Sequence, residues 1–534
     1  MNQAGIVLDP EGIAIDTVTN EQRYSSLAFD GTNYLVIWED FRSGFQWDIY
    51  GVRLNQTGVV LDSNSIVISA ASVNSQYSPS IAFDGTNYLV VWFCSVINDI
   101  VGIRVNELGT VVDTISITIT NAINGQYNPR IAFDGTNYLV VWDDYRNGEF
   151  SDIYGSRVNQ SGLVLDPNGI VISPELNWQE FPSLCFGGSN YFVVWKDDRG
   201  DWPDIFGARV NRAGLVLDPN GIRISNGEND KGFASAAFDG TNYFVVWSEE
   251  RFPNEWYIYG SRVSQTGIVL DPNGIPLVSA SNSFWGPHVS IAFDGTNYLM
   301  IWEDYRGIDY DIYGTRLNQF GIVLDPNGIP ISTAGGDQAF PSVVFEGSNF
   351  LVIWEDYRSG YDSDIYGAKL NTSGTVIDSF FVSVQPGNQY SPALVKGSGN
   401  QALITYSGWT DSINHHPANT MRIWGKFYPF VGMEDECSTL YAKGLMPEIY
   451  PNPFRNLTQI KYAIKKRGDV SIKIYDIAGK SVRNLIMDNQ EIGIHIINWD
   501  GRDDMNHKLP AGVYFCSLRT SKGISETKEI IILR

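Results

Sequence analysis

An internal repeat with eight copies dominates this chain and constrains its fold more than any other feature. Each copy contains Phe-Asp-Gly-Thr-Asn-Tyr or a variant of it, then a run of Leu, Val or Ile, then an aromatic residue. These aromatic residues recur every 50 to 55 positions and are Trp38, Trp92, Trp142, Trp195, Trp247, Trp302, Trp354 and Tyr406. A period of this size means that fold and function have to be inferred from the repeat as a unit.

The repeat unit predicts four short β-strands. In the copy at residues 290–328, segments rich in strand-forming residues alternate with turns, and no apolar period of 3.6 residues occurs. The segments are Ser290–Phe293, Asn297–Trp302, Asp311–Leu317 and Ile322–Leu324. Asp294-Gly295 indicates a tight hairpin, and Asp325–Gly328 suits a type I turn. The unit is therefore predicted to be a four-stranded antiparallel meander.

A small sheet with two apolar faces has to pack between neighbouring copies of itself. Radial stacking of such sheets produces a β-propeller, so we predict an all-β fold with an eight-bladed propeller of four-stranded antiparallel blades over residues 1–430. Residues 5–15 copy the end of a repeat, whereas the last copy lacks this segment. We expect the N-terminal strand to complete the last blade and close the ring. The alternative is a piece of a longer array that begins mid-repeat.

Charge is distributed unevenly along the chain, whose net charge is −23. Residues 444–534 hold 14 Lys/Arg and 10 Asp/Glu, which leaves 23 Lys/Arg and 50 Asp/Glu in residues 1–443, a net of −27. So acidic a propeller is expected to repel nucleic acid and an anionic membrane surface. No apolar run approaches the roughly 20 residues of a membrane-spanning helix. We therefore predict no nucleic-acid partner and no membrane span.

A second, smaller module follows the repeats. After a linker at residues 431–444, residues 445–534 alternate between apolar and polar positions as in a small β-sandwich of six or seven strands. Three motifs occur in order, Tyr-Pro-Asn-Pro-Phe at Tyr450–Phe454, Tyr-Asp-Ile-Ala-Gly-Lys at Tyr475–Lys480 and Ala-Gly-Val-Tyr-Phe at Ala511–Phe515. With these motifs the module resembles a type IX secretion system C-terminal sorting domain, whose fold is similar to the Ig-like domain of flagellar hook-capping proteins.

This resemblance implies that secretion machinery recognises residues 445–534 and that the protein is secreted or attached to the outer cell surface. An Ig-like spacer without a sorting role is the alternative. No signal peptide is visible at Met1–Gly5, and a truncated N-terminus would account for that. The repeats themselves resemble uncharacterised bacterial surface propellers, a resemblance that implies no activity.

In a propeller meander, the loops after the second and fourth strands of each blade lie on one face, here called the variable face because these loops differ in length and composition. The loops of the opposite, uniform face are nearly all Asp-Gly-Thr-Asn and Asn-x-x-Gly. Binding is expected on the variable face.

Trp residues are the candidate ligand-binding side chains of the variable face. Six fall in loops assigned to this face, and they are Trp47, Trp178, Trp202, Trp256, Trp285 and Trp409. Trp is suited to stacking on sugar rings or to anchoring a protein partner. The alternative for each is that it packs over the adjacent blade.

Acidic residues also recur on the variable face. Trp-x-Asp/Glu-x-Arg occurs in six copies, and a second acid begins the third strand in five. Paired carboxylates can serve as the acid and base of a glycosidase or as Ca²⁺ ligands. A catalytic pair should be unique in a ring, however, whereas each of these acids repeats with an Arg two residues on. We interpret them as ion pairs that brace the loop, and predict no catalytic residue, no metal site and no cofactor, with Ca²⁺ as the alternative.

Three functions remain compatible with this sequence. The first is a secreted or surface-attached propeller that binds a glycan or a surface protein without catalysis. The second is a glycoside hydrolase or lyase with its site in the central funnel, and the third is a structural adhesin module. No Ser-His-Asp pattern, phosphate-binding loop or Cys cluster is present in the sequence to favour another class of activity.

Overall fold

The computed structural model describes residues 12–533 apart from a set of gaps. The gaps are 19, 70–74, 253–254, 282–286, 361, 384–386, 411–419, 429–447, 451, 453, 455–457, 465–467, 491–492, 506 and 521–524. In the described residues, every regular secondary-structure element is a β-strand. The chain forms two compact units, one within Glu11–Pro429 and one within Phe430–Arg534. The predicted linker at residues 431–444 lies outside the described residues.

The first unit consists of eight four-stranded antiparallel sheets, as the repeat predicts. Their strands, in order from first to fourth, are as follows. Blade one comprises Gln22–Phe29, Asn33–Asp40, Asp48–Asn55 and Ile66–Ser69. Blade two comprises Gln76–Phe83, Asn87–Cys94, Asp99–Asn106 and Ile117–Thr118. Blade three comprises Gln126–Phe133, Asn137–Asp144, Asp152–Asn159 and Ile170–Ser173. Blade four comprises Gln179–Gly187, Asn190–Asp197, Asp204–Asn211 and Ile222–Arg223.

The remaining blades repeat this order. Blade five comprises Lys231–Phe238, Asn242–Phe252, Glu255–Ser264 and Ile275–Ser281. Blade six comprises Val289–Phe293, Asn297–Asp304, Asp311–Asn318 and Ile329–Ser332. Blade seven comprises Gln338–Phe345, Asn349–Asp356, Asp364–Asn371 and Val376–Ser383. Blade eight comprises Gln389–Lys396, Ala402–Thr410, Thr420–Tyr428 and, from the N-terminus, Ile13–Ala14.

The eight sheets form a closed ring. The first strand of each blade contacts the first strand of the next, and the series returns from blade eight to blade one. The eight first strands therefore surround the axis, and the space between them is the central channel. The N-terminal strand Ile13–Ala14 pairs antiparallel with Thr420–Tyr428, which confirms that the N-terminus completes the last blade. The unit is an eight-bladed β-propeller.

The core lies between the blades. The second strand of each blade is buried on both faces, and alternate residues pack against opposite neighbours. In blade three, Val140 and Trp142 pack with blade two, whereas Leu139 and Val141 pack with blade four. This arrangement explains why these strands are apolar on both faces, since neither face reaches water. The seven Trp residues of the repeat are at most 1% exposed.

Ion pairs on the uniform face connect adjacent blades. In blade three, Arg157 donates from Nε and Nη2 to Asp166 at 2.8 Å each, and from Nη1 to the backbone oxygen of Arg212 in blade four at 3.1 Å. Bidentate Arg–carboxylate pairs of this kind are among the stronger polar contacts in proteins. The equivalent pairs are Arg53/Asp62, Arg104/Asp113, Arg209/Asp218, Arg262/Asp271 and Arg316/Asp325.

The second unit is a seven-stranded β-sandwich. One sheet has the order Glu448–Tyr450, Thr458–Ile464 and Gly493–Trp499, and the other has the order Ser481–Gln490, Gly468–Tyr475, Gly512–Thr520 and Ser525–Ile532. Side chains of both sheets form one apolar core, in which Ile460 and Trp499 meet Ile472 and Leu518. Within the described residues, no helix with the length and hydropathy needed to cross a membrane occurs.

Candidate functional site

The structure places the six predicted Trp residues in different environments. Trp202 is 49% exposed, Trp47, Trp178 and Trp409 are half-buried, and Trp256 is only 8% exposed. Trp285 lies outside the described residues. The six therefore do not form one exposed platform, and Trp202 is the exposed member among the five described.

The placement of Trp256 and Trp409 in loops was wrong. Trp256 lies within the strand Glu255–Ser264, because the second and third strands of blade five extend until Phe252 faces Glu255. Trp409 lies in the strand Ala402–Thr410, where it faces Met421. In both blades the hairpin continues beyond the length of the other copies, which alternation in the sequence did not reveal.

Trp178 belongs to a chain of aromatic contacts over blades two to four, here called the aromatic ladder. Its successive rings are 4.7 to 6.4 Å apart, and the members are Tyr77, Phe93, Tyr127, Tyr145, Trp178 and Phe150. Trp47 has a different partner, since the Arg23 guanidinium lies 3.9 Å from its ring centroid. Both Trp side chains are therefore partly covered by contacts with neighbouring residues of the blades.

The repeated Trp-x-Asp/Glu-x-Arg residues form buried braces, as interpreted from the sequence. In blade three, Asp144 is fully buried and accepts hydrogen bonds from Trp142 Nε1 at 2.7 Å and from Arg146 Nε and Nη2 at 2.8 and 2.6 Å. The Arg146 guanidinium lies 3.9 Å from the Tyr154 ring centroid, and its Nη1 donates to the backbone oxygen of Asn168. The carboxylate is thus saturated by structural contacts.

The same brace recurs in other blades, with acid–Arg pairs at Asp40/Arg42, Asp197/Arg199, Glu249/Arg251, Asp304/Arg306 and Asp356/Arg358.

Among the described residues, no group of three or more His, Cys, Asp or Glu side chains is arranged to hold a metal ion. The acid that begins the third strand lies opposite the acid of the brace, as in Asp40/Asp48, Asp304/Asp311 and Asp356/Asp364. Burial raises the pKa of Asp48, Asp311 and Asp364, to about 6, 6 and 7.

The first strands carry an irregularity that the sequence did not predict. In seven blades the pairing between the first and second strands shifts near the start of the first strand, as between Glu180 and Ser183 in blade four. Six non-glycine residues at this shift have a positive φ of 52° to 58°, and they are Tyr24, Ser78, Asn128, Phe181, Phe340 and Ser391. A β-bulge of this kind redirects a side chain out of the regular alternation. Here it lies at the variable-face end of strands that surround the channel.

Four consecutive blades place an aromatic ring at this position of the repeat, three of them at the bulge and blade six, which has no bulge, at the aligned residue. Phe181, Phe233 and Phe340 are 43%, 42% and 46% exposed, and the side chain of His288, which directly precedes the first strand of blade six, is 43% exposed. Their ring centroids are 5.0 Å apart for Phe181–Phe233, 5.5 Å for Phe233–His288 and 4.7 Å for His288–Phe340. We call these four residues the aromatic arc. It is a continuous aromatic surface at the mouth of the channel.

Buried carboxylates fix the arc to the preceding blades. Asp143 Oδ1 accepts a hydrogen bond from the backbone N–H of Phe181 at 3.2 Å. Glu303 Oε1 accepts from the backbone N–H of Phe340 at 2.6 Å and contacts His288 Nδ1 at 3.2 Å. Both acids occupy the position directly after a repeat Trp, and Glu39 and Glu355 make the same contact with Ser78 and Ser391. The backbone of Phe181 and of Phe340 is therefore held by the preceding blade, and His288 is held by Glu303 of its own blade.

The electrostatics of these contacts follow from burial. Desolvation raises the pKa of Asp143 and of Glu355 to about 7, although hydrogen bonds to the carboxylates oppose the shift. The hydrogen bond with Glu303 raises the pKa of His288 above its usual range. His288 is accordingly the polar member of an otherwise apolar arc.

Sequence reasoning missed the arc because it assigned the first strands to regular alternation. A signal was present: Phe181, Phe233, His288 and Phe340 occupy one aligned position of the repeat, five residues before its Phe or the equivalent. The corresponding residues of the other blades are Tyr24, Ser78, Asn128 and Ser391. Four consecutive blades with an aromatic residue, beside Ser78, Asn128 and Ser391 in three others and Tyr24 in blade one, are a departure from the repeat.

Residues 448–533 match the family model described as the secretion system C-terminal sorting domain. This match confirms the resemblance of the C-terminal module to a sorting domain, and the protein is secreted or lies on the outer cell surface. No curated protein matches the chain.

Several solved structures are similar to this chain at low identity. The β-propeller domain of the Trilobed protease from Pyrococcus furiosus is 10% identical over 69% of this chain and 99% of that chain, with a TM-score of 0.40. An ulvan lyase of a new polysaccharide lyase family is 9% identical over 68% and 95%, with a TM-score of 0.42. An α-L-arabinanase from Penicillium chrysogenum is 12% identical over 56% and 92%, with a TM-score of 0.37. These likenesses are too distant to indicate what this chain binds.

Proposed function

We propose that this protein is a secreted or surface-attached binding protein that takes a glycan at the variable-face mouth of its central channel. The observation that carries the proposal is the aromatic arc, in which Phe181, Phe233, His288 and Phe340 contact one another ring to ring while more than two fifths of each remains exposed. Exposed aromatic surface at a concave position is typical of ligand-binding sites.

The chemistry of the arc suits a sugar chain. Phe rings offer flat apolar faces to the C–H groups of a sugar, and His288 adds a hydrogen-bonding edge. Because each ring is already packed against its neighbour in the arc, binding orders few side chains. The channel mouth lies inside a ring of eight first strands. A flexible glycan can enter it more readily than a folded protein partner can.

The hydrolase or lyase alternative has weaker support. The carboxylates nearest the arc are engaged, since Asp143 accepts from Phe181 N–H and from Asn128 Nδ2, and Glu355 accepts from Ser391 N–H and from the Tyr357 hydroxyl. A general acid or base has to reach the substrate with a free oxygen. Asp143 and Glu355 therefore position the backbone of the following blades.

A glycan array followed by calorimetry with the full chain tests the proposal. Phe233→Ala removes a central ring of the arc and is expected to weaken binding of the best glycan roughly tenfold, since an aromatic contact contributes on the order of 1 kcal/mol. Leu215→Ala is a control because Leu215 is 62% exposed in a turn of the uniform face, and it should leave binding unchanged.

Two results would contradict the proposal. The first is the absence of binding to any glycan on the array. The second is full affinity in Phe233→Ala together with loss of binding in Trp202→Ala, which would move the site to the loop that holds the exposed Trp202. Release of shortened saccharides during the assay would favour the hydrolase or lyase alternative.

A further inference from the structure

One position of the central channel departs from the eightfold repeat. Two residues after the bulge, the first strands carry small side chains, namely Ser26, Ser80, Ser183, Ser235, Ser290, Ser342 and Ala393. In blade three the same position is Arg130. Small residues suit the narrow centre of a ring of blades, so a lone Arg there is not explained by packing.

The Arg130 side chain is exposed although it belongs to an innermost strand. Its guanidinium makes one hydrogen bond, from Nη1 to the backbone oxygen of Pro129 at 3.3 Å. No carboxylate of the described residues lies within ion-pair distance of Arg130, in contrast to the Arg residues of the braces. Desolvation inside the ring lowers the pKa of Arg130, and the charge of Asp143 opposes that shift. Arg130 is thus a cation with most of its donors open to the channel.

Arg130 lies at one end of the aromatic arc. The first strand of blade three, which carries Arg130, contacts the first strand of blade four, which carries Phe181. Asp143 of blade three also accepts the backbone N–H of Phe181 at its Oδ1. The next ring along the arc from Phe181 is Phe233. A chain that lies along the arc from blade seven toward blade four therefore ends beside the guanidinium.

We propose that the channel mouth selects a glycan that carries an acidic group, with Arg130 binding the carboxylate or sulfate while the sugar rings lie on the aromatic arc. This inference rests on the proposed function and adds the chemical class of its ligand. A planar guanidinium binds carboxylate and sulfate through paired hydrogen bonds, which a neutral hydroxyl cannot match.

The net charge of −27 in residues 1–443 does not oppose this assignment at physiological salt. Repulsion between separated charges is screened beyond roughly 8 Å at that ionic strength, whereas a direct contact with Arg130 is screened much less. The acidic propeller slows the approach of an anion, and the contact at Arg130 decides which glycan stays bound.

Titration calorimetry of the full chain with three probes tests the inference. Oligogalacturonate carries carboxylates, its methyl ester is the same chain without charge, and a sulfated galactan oligosaccharide carries sulfate. Arg130→Ser introduces the residue found in six of the other seven blades and should fold normally, which an unchanged melting temperature verifies. Arg130→Lys retains the charge without the planar fork. Arg212→Ser is the matched control, since it removes one positive charge from the uniform face.

We expect the wild-type chain to bind at least one acidic probe tenfold or more tightly than the methyl ester. Arg130→Ser should abolish that difference, Arg130→Lys should retain part of it, and Arg212→Ser should leave it intact. Which acidic probe binds distinguishes carboxylate from sulfate.

The inference is overturned if Arg130→Ser keeps the preference for the acidic probe, or if the wild-type chain binds the methyl ester as tightly as both acids. In either case the proposed function still stands provided that Phe233→Ala weakens binding of the methyl ester or of another glycan. If no probe and no array glycan binds the wild-type chain, the proposed function itself fails.

Discussion

The brace in blade three offers a quantitative test of what holds the propeller together. Asp144 is fully buried and accepts four hydrogen bonds, one from Trp142 Nε1 and three from the backbone N–H, Nε and Nη2 of Arg146, at 2.6 to 2.9 Å. Asp144→Ala leaves the mostly buried Arg146 guanidinium without its counter-ion. Removing one partner of such a pair costs about 3–5 kcal/mol. We expect that loss in the free energy of unfolding.

Blade two provides a natural comparison, because it lacks the brace. It has Cys94 and Val96 where blade three has Asp144 and Arg146, and Trp92 Nε1 is buried there without a hydrogen-bond partner. The double variant Asp144→Cys/Arg146→Val recreates blade two. Because it removes both charges together, it should cost only about 1–3 kcal/mol, the penalty of an unpaired indole N–H.

Equilibrium denaturation of the full chain in urea, followed by Trp fluorescence, measures both values. The double variant should be more stable than the single variant by about 1 kcal/mol or more, although it carries more substitutions. A double variant that is less stable than Asp144→Ala would refute the reasoning, since it would mean that Arg146 stabilises the blade without its acid.

Two further predictions concern pH and export. Burial raises the pKa of Asp143 to about 7. Between about pH 4 and pH 7 the folded state therefore holds a proton that the unfolded state has released. The contribution of Asp143 to stability falls as the pH rises through this window. The Asp143→Asn variant should lack this pH dependence. Its free energy of unfolding in urea, relative to that of the wild type, should therefore rise by roughly 2 to 4 kcal/mol between pH 4.5 and pH 7.5. Parallel plots of unfolding free energy against pH for the two proteins would contradict the prediction. Deletion of residues 445–534 should leave the protein in the periplasm, as immunoblots of cell fractions would show, and unchanged surface display would argue against a sorting role.

The propeller could be predicted from the sequence because its determinants repeat. An aromatic residue every 50 to 55 positions, Trp in seven copies and Tyr406 in the eighth, follows a hairpin and precedes a turn, so the same structural requirement occurs eight times. Even the exception was informative, since the missing strand of the last copy reappears at the N-terminus and pairs as Ile13–Ala14. The inter-blade pairs such as Arg157/Asp166 were not predicted, because their contact with the next blade depends on the angle between sheets.

The candidate site was harder to predict because it depends on a local departure from regular pairing. Trp256 was assigned to a loop on residue type and spacing, yet a hairpin that continues for a few residues places it in a buried strand. Conversely, Phe181 falls on what alternation assigns to an ordinary strand, and only the bulge between Glu180 and Ser183 exposes it. Whether a side chain faces the core or the channel is decided by one inserted residue, which sequence periodicity cannot detect.

In a ring of similar blades, the residues that repeat build the ring and those that depart from the repeat distinguish one part of the channel from another. By this criterion the acids beside Arg146 and Arg199 are structural, since each recurs with its Arg in most blades. Phe233 and Arg130 satisfy the opposite condition, because the ring closes equally well in blades that carry Ser at those positions. Packing between blades requires neither an aromatic ring nor a guanidinium at these positions, since blade two has Ser78 and Ser80 there. Phe233 of blade five and Arg130 of blade three lie on either side of Phe181 of blade four, at one mouth of the channel. Their presence there is therefore best explained by a ligand that contacts both.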